Sequence, residues 1–314
     1  MRTICIPLLF TAILAAQDVQ IPPYYSADAE LSAAVSAIAA DLRLDVPYDT
    51  GEDGMVLPSI AVIDLATPTP LFAGVHAESF IYPASVYKMY VAAEVLRQVS
   101  AGIIRLDTPI IVRSPNDVDK TKEIVSDPRP LLRSGDTVSV NFLLDLMITR
   151  SDNSAANCLI DLARRENIDR MMQRYNWRGS EVTRKYLSRK LEDPGYAAVR
   201  STETSALHAA DFLYRIRTNQ LFSPWVSMQM KTFLGRQLDN TKLSAGLPDS
   251  VMFYHKTGWY DAWTHDAGIV DDGEVNYIIV CLLPIPEERA LPVMKEFAAR
   301  IHSLFLKRLA LRKP

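Results

Sequence analysis

The apolar positions of the N-terminal third come in short, closely bounded runs. Leu31 to Leu42 is Ala-rich with no helix breaker and predicts a helix. Ile60–Leu65 and Leu71–Val75 are apolar runs separated by Thr-Pro-Thr-Pro and predict two adjacent antiparallel strands. A helix is expected after Pro83, since proline is favoured in a first helical turn, where its missing N–H costs nothing. In the middle of the chain the period changes. Val140, Leu143, Leu144, Met147 and Ile148 recur at the spacing of one helical face, with Ser139 where a cap belongs. Further helices are expected from about Asn153, Thr204 and Pro224. Residues 180–202 are polar and without period, a long loop of the kind that often carries function.

The C-terminal third returns to strands. Val251–Lys256, Ala267–Val270 and Tyr277–Leu283 are β-rich, and Asp271-Asp272-Gly273 is a hairpin signal. A long amphipathic helix is expected from about Pro286 to Leu311. This order (helix, strands, helices, strands, helix) predicts an α/β (α+β) fold. Two strand groups that join one antiparallel sheet leave the helical block as a second lobe. The boundaries fall at about 28–82 and 237–314 for the α/β lobe and 83–236 for the helical lobe, within one unit spanning 17–314.

Residues 1–16 have the form of a signal peptide: Arg2, a short apolar stretch, then Ala15-Ala16. Secretion, to the bacterial periplasm, is the expectation. A buried first element is the alternative, disfavoured by the polar Gln17-Asp18 that follows. Nothing else in the chain suggests a membrane span. The net charge of −3 gives no electrostatic case for nucleic acid or anionic membranes. Cys158 and Cys281 read as buried free thiols, although an oxidising compartment permits a bridge. No Cys/His cluster has metal-ligand spacing, so neither a metal nor a cofactor is expected.

Ser85-Val86-Tyr87-Lys88 is the first piece of candidate chemistry. Positions i and i+3 share a helix face, which puts the Lys88 amine within reach of the Ser85 hydroxyl. The apolar run Met89–Ala93 predicts burial, and burial lowers a lysine pKa and frees a fraction of it to act as a base. Alone, a four-residue match is weak. Ser151-Asp152-Asn153 is the second piece. Ser-x-Asn also occurs at Ser114 and Ser139, so only its place between two helices makes it informative, and a helix cap is the plain alternative. Lys256-Thr257-Gly258 ends a β-rich run. On an edge strand, Lys256 and Thr257 would hold a carboxylate, and Gly258 would clear space for substrate backbone.

The three motifs fall in chain order on a helix start, an inter-helix turn and a strand. Together with Ile81 to Asp107, Ser154-Ala155-Ala156-Asn157, Leu243 to Pro248 and His265-Asp266-Ala267-Gly268-Ile269, they resemble the class A serine β-lactamase family over nearly all of 17–314. The resemblance implies a β-lactamase/transpeptidase-like fold. It implies that Ser85 is acylated by a β-lactam or by an acyl-D-Ala-D-Ala-like cell-wall peptide, with Lys88 as base or relay and Ser151 passing a proton to the leaving nitrogen. Asn153 would bind the substrate amide, and Lys256 and Thr257 its carboxylate. The backbone N–H groups of Ser85 and Trp259 would stabilise the oxyanion, and Asn157 would brace the loop across the cleft. A monomer with a small-molecule partner is expected.

Two departures stand against that pattern. The family carries a glutamate on the cleft loop to activate the deacylating water. Here the corresponding stretch, Leu187 to Arg189, holds no acid, and Glu192 and Asp193 read as surface charge beside a Pro-Gly turn. Nor does any arginine lie between Arg236 and Arg289 to assist the carboxylate, leaving Trp263 or His265 as cleft candidates, with a structural role the plainer reading for the histidine. The expected activity is β-lactam hydrolysis through an acyl-enzyme. The alternatives are a D-Ala-D-Ala peptidase-like penicillin-binding protein and a slow-deacylating or non-catalytic binding domain.

Overall fold

The computed structural model describes residues 21–51, 53–196 and 198–312, so the signal peptide expected at 1–16 lies outside the described residues. The elements are β1 (Ser26–Ala27), α1 (Ala29–Asp41), β2 (Tyr48–Asp49), β3 (Met55–Val56), β4 (Ser59–Asp64), β5 (Leu71–Val75), α2 (Lys88–Ser100), β6 (Pro109–Ile111), β7 (Thr137–Ser139), α3 (Val140–Thr149), α4 (Asn153–Ala163), α5 (Arg165–Arg174), α6 (Ala206–Arg217), α7 (Pro224–Leu234), β8 (Met252–Tyr260), β9 (Trp263–Asp271), β10 (Asn276–Leu283) and α8 (Glu287–Arg312).

Both groups of strands join one six-stranded sheet in the order β1-β5-β4-β10-β9-β8. Every pairing is antiparallel except the two-residue β1, which runs parallel to β5. The sheet is therefore mixed, not wholly antiparallel as the sequence suggested. Its central strands are buried on both faces, which is why they read as continuous apolar runs. Ile60 and Val62 of β4, with Tyr277, Ile279 and Cys281 of β10, pack against α1 and α8. The alternate residues Ala61, Ile63, Ile278, Val280 and Leu282 face the helices between the strand groups. Among the described residues strand β8 is left at the edge, its backbone on one side free of a strand partner.

Helix starts follow their local chemistry. Ser139, Asp152, Ser205 and Ser223 each accept a backbone N–H of the first turn of the helix that follows them. Cys158 and Cys281 are buried and unbridged. Among the described residues, no helix is long and apolar enough to cross a membrane, and no group of three His, Cys, Asp or Glu side chains is placed to hold a metal ion.

Candidate active site

Ser85 does not open an α-helix directly. Ala84–Tyr87 is a 3-10 turn, and α2 begins at Lys88. The tighter turn eclipses side chains three residues apart, which aligns the pair: Lys88 Nζ lies 3.0 Å from Ser85 Oγ. Ala84 ahead of it has φ +44°, and Ser151 has φ +62°. Each is a left-handed backbone that costs a side-chain-bearing residue about 1–2 kcal/mol. Strain thus sits at both serines' turns.

The packing of α2 against α4 brings the second motif to the first. Lys88 Nζ donates to Ser151 O, Ser151 Oγ at 3.1 Å and Asn153 Oδ1 at 2.8 Å. From the edge strand, Lys256 Nζ reaches the same Ser151 Oγ at 3.1 Å. One hydroxyl therefore bridges two buried amines. Burial lowers the pKa of Lys88 to about 8. Burial, helped by the neighbouring Lys88 charge, lowers Lys256 to about 7. Both cations are costly in this desolvated place, and deprotonating either relieves the other.

Thr257 is buried, and its Oγ1 has no hydrogen-bond partner among the described residues. Gly258 behaves differently from its expected role. A Cβ there would lie 2.9 Å from Ser85 N, 3.0 Å from Val86 N and 3.1 Å from Pro83 O. The missing side chain makes room for the serine's own turn, not only for substrate. Trp259 is 45% exposed at the cleft edge, its indole donating to Glu123 at 3.0 Å.

Three residues of this site gave no signal in the sequence. Asp119 accepts Asn153 N, Asn153 Nδ2 and Ser154 N, at 2.7, 3.0 and 3.0 Å. That fixes the Asn153 amide with its oxygen toward Lys88. Glu123, from the same loop, meets Trp259. Tyr186 packs against Lys88, its ring 4.3 Å from Lys88 Nζ and stacked on Tyr87. Its hydroxyl donates to Ala84 O at 3.3 Å. Burial holds its phenol well above the ordinary range, so it stays neutral.

Asn157 grips this same residue: Tyr186 N donates to its Oδ1 at 2.7 Å, and its Nδ2 lies 3.4 Å from Tyr186 O. Leu187, Ser188 and Arg189, where an acid was sought, line an outer cleft of about 840 Å³ together with Tyr82, Tyr260 and Trp263. Glu192 is not surface charge. It is buried, bonded to Arg165 at 2.6 Å, to Arg184 at 3.3 Å and to Lys185 N at 3.0 Å. Arg165 also holds Asp193, at 2.9 Å. These carboxylates tie the loop to α5. His265 is also structural: Leu283 N donates to its Nδ1 at 3.0 Å, and Nε2 meets Tyr82 O at 2.8 Å. Burial lowers its pKa to about 4, so it stays a neutral clamp.

Among solved structures, PBP-A aligns with a TM-score of 0.74 at 18% identity over 91% of this chain and 99% of its own. A variant of it described as an acyl-enzyme complex with penicillin G aligns equally well, over 91% of this chain and 100% of its own at 18% identity and TM-score 0.74. A β-lactamase from Sphaerobacter thermophilus gives 0.72 at 17% identity, over 90% of this chain and 99% of its own. The ancestral Gram-negative class A β-lactamase gives 0.69 at 22% identity, over 86% and 100%. Likenesses this remote in sequence establish the β-lactamase/transpeptidase-like fold. No curated protein matches the chain. The model of the Beta-lactamase enzyme family matches residues 51–305, which contain every side chain of the two-lysine cluster, and the chain belongs to that class A-like family.

Proposed function

We propose that this protein is a serine acyl-enzyme former, acylated at Ser85 by β-lactams and by acyl-D-Ala-D-Ala-like peptides, that hydrolyses the β-lactam-derived ester slowly. Neutral Lys88 takes the proton of Ser85 Oγ across 3.0 Å as Oγ attacks the carbonyl carbon. The backbone N–H groups of Ser85 and Trp259 receive the charge that develops on the carbonyl oxygen. The proton returns from Lys88 through Ser151 Oγ, 3.1 Å away, to the leaving nitrogen as the C–N bond breaks. Lys256 and the unpartnered Thr257 hydroxyl hold the substrate carboxylate, and Asn153 holds the substrate amide.

The observation that carries the slow second step is Tyr186. The ester is released only when a base activates water, and the loop residue that packs against Lys88 and the Ser85 turn, one position ahead of the stretch where an acid was sought, is a neutral phenol. Glu192 is committed to two arginines and is no substitute. PBP-A, alike in fold, forms an acyl-enzyme with penicillin G in a variant form, which supports the first step. Efficient β-lactamase turnover is the second reading. It is favoured by the lowered pKa of Lys88, whose amine is near enough to serve the water as well. Export by residues 1–16 to the periplasm would bring the protein to these substrates, and we propose that location.

Intact-mass spectrometry after mixing with benzylpenicillin tests the proposal. The expected result is a Ser85 adduct that persists for minutes or longer, with D-Ala released from a peptide substrate. An adduct that vanishes within a turnover of seconds supports the second reading. No adduct at all refutes both.

A further inference from the structure

Strand alternation separates the side chains of the Lys256-Thr257-Gly258-Trp259 segment into two sets. Lys256 reaches Ser151, and the open side of Gly258 meets the Ser85 turn. Thr257 and Trp259 therefore share the opposite orientation. One ends in a buried hydroxyl without a partner among the described residues, the other in an indole N–H. That N–H is not idle. It donates to a carboxylate of the protein, Glu123, 136 positions away in the sequence, and both residues line a cavity of about 230 Å³. Ser151, Asn153, Lys120 and Lys122 line the same cavity.

The charge environment agrees with this placement. Glu123 is the leading carboxylate holding protons on both Lys88 and Lys256. The other nearby acids are occupied: Asp119 holds Asn153 and Ser154, and Asp152 caps α4 and pairs with Arg150. Glu123 is thus an exposed carboxylate at the cleft edge that acts on both amines through its charge and accepts the Trp259 indole N–H. No strand-borne arginine is present to supply a further donor.

We propose that the Trp259 indole N–H is a ligand for the substrate carboxylate alongside Lys256 and Thr257, and that Glu123 is its resting-state partner, displaced when substrate enters. The indole then supplies the donor that the missing arginine does not. Glu123 opposes binding by competing for that donor and by like-charge repulsion, and it screens out ligands without an anionic group able to take its place. This assignment rests on the acylation reading above.

The test compares acylation of the full-length protein by a penicillin and by its methyl ester, which lacks the carboxylate. Trp259→Phe keeps the ring and removes the N–H. It is expected to slow acylation by the acid about 5–20-fold, with the larger share of the loss in non-covalent binding, as loss of a charge-assisted hydrogen bond requires. With the ester the effect of the substitution falls to within about twofold, since no anion remains to be bound. Glu123→Gln is expected to speed acylation by the acid about 3–10-fold by removing the competing charge. A Trp259→Phe protein that slows acid and ester alike, or a Glu123→Gln protein that slows the acid, overturns the assignment while leaving Ser85 acylation standing. A wild-type protein that takes up neither compound overturns both.

Discussion

Gly258→Ala places a single methyl group at the tightest junction of the site. The added Cβ would meet Ser85 N, Val86 N and Pro83 O at 2.9, 3.0 and 3.1 Å. All three are backbone atoms, so none moves aside by a rotamer change. Ordinary contact begins near 3.4 Å, and β8 and the Ser85 turn must therefore separate by about half an ångström. The strain of such overpacking is expected to cost about 1–3 kcal/mol of stability, read from urea unfolding. The larger effect falls on chemistry. The same separation moves the Trp259 backbone away from Ser85, and donors aimed at a developing oxyanion lose about 10²-fold in rate for such misplacement. The assay is the limiting rate of acylation by a fluorescent penicillin, measured by stopped flow at saturating ligand. The reasoning predicts a fall in that limiting rate with a smaller change in binding. Acylation within threefold of wild type by a Gly258→Ala protein of unchanged stability refutes it.

Three further outcomes follow from the same geometry. Lys88 and Lys256 titrate as a pair from values lowered to about 8 and about 7. The reactive form carries one proton between the two amines, with Lys88 neutral and Lys256 charged, so second-order acylation should be bell-shaped in pH, rising as the pair loses its first proton and falling as it loses its second. Its acid limb lies two units or more below the ordinary lysine value of about 10.4, and a limb near 10 contradicts this account. Tyr186→Glu sets a carboxylate beside Lys88 in the grip of Asn157; the acyl-enzyme should then release its product at least about a hundredfold faster, the low end of general-base assistance, as timed by loss of the mass adduct. Glu192→Ala leaves Arg165 with Asp193 alone and removes the buried partner of Arg184 and of Lys185 N, and should cost about 1–3 kcal/mol in chemical denaturation, whereas a genuine surface carboxylate would cost almost nothing.

Much of this protein follows from local rules. The i, i+3 spacing of Ser85 and Lys88 holds in a 3-10 turn as in an α-helix, so their contact did not depend on knowing which of the two forms. Caps at Ser139 and Asp152 and the apolar period of α3 are short-range effects of neighbouring residues on one backbone. The strands of the central sheet announced themselves as apolar runs because burial on two faces leaves no polar alternation.

The tertiary structure decided which of the polar residues matter. Glu192 looks like any charged loop residue, because an acid is buried only when it is paired, and its partner Arg165 lies on another element, α5. Asp119, Glu123 and Tyr186 sit in stretches without period. Asp119 and Glu123 act on residues more than thirty positions away, Asn153 and Trp259, while Tyr186 acts on Lys88 from a separate loop. The sequence alone determined where the candidate nucleophile and its lysine would stand, because a single turn of backbone joins them. Only the fold decided what surrounds them once the chain has closed: a phenol against Lys88, one position ahead of the stretch where an acid was sought, and a carboxylate latched to Trp259. Those contacts exist only because elements remote in sequence share one cleft.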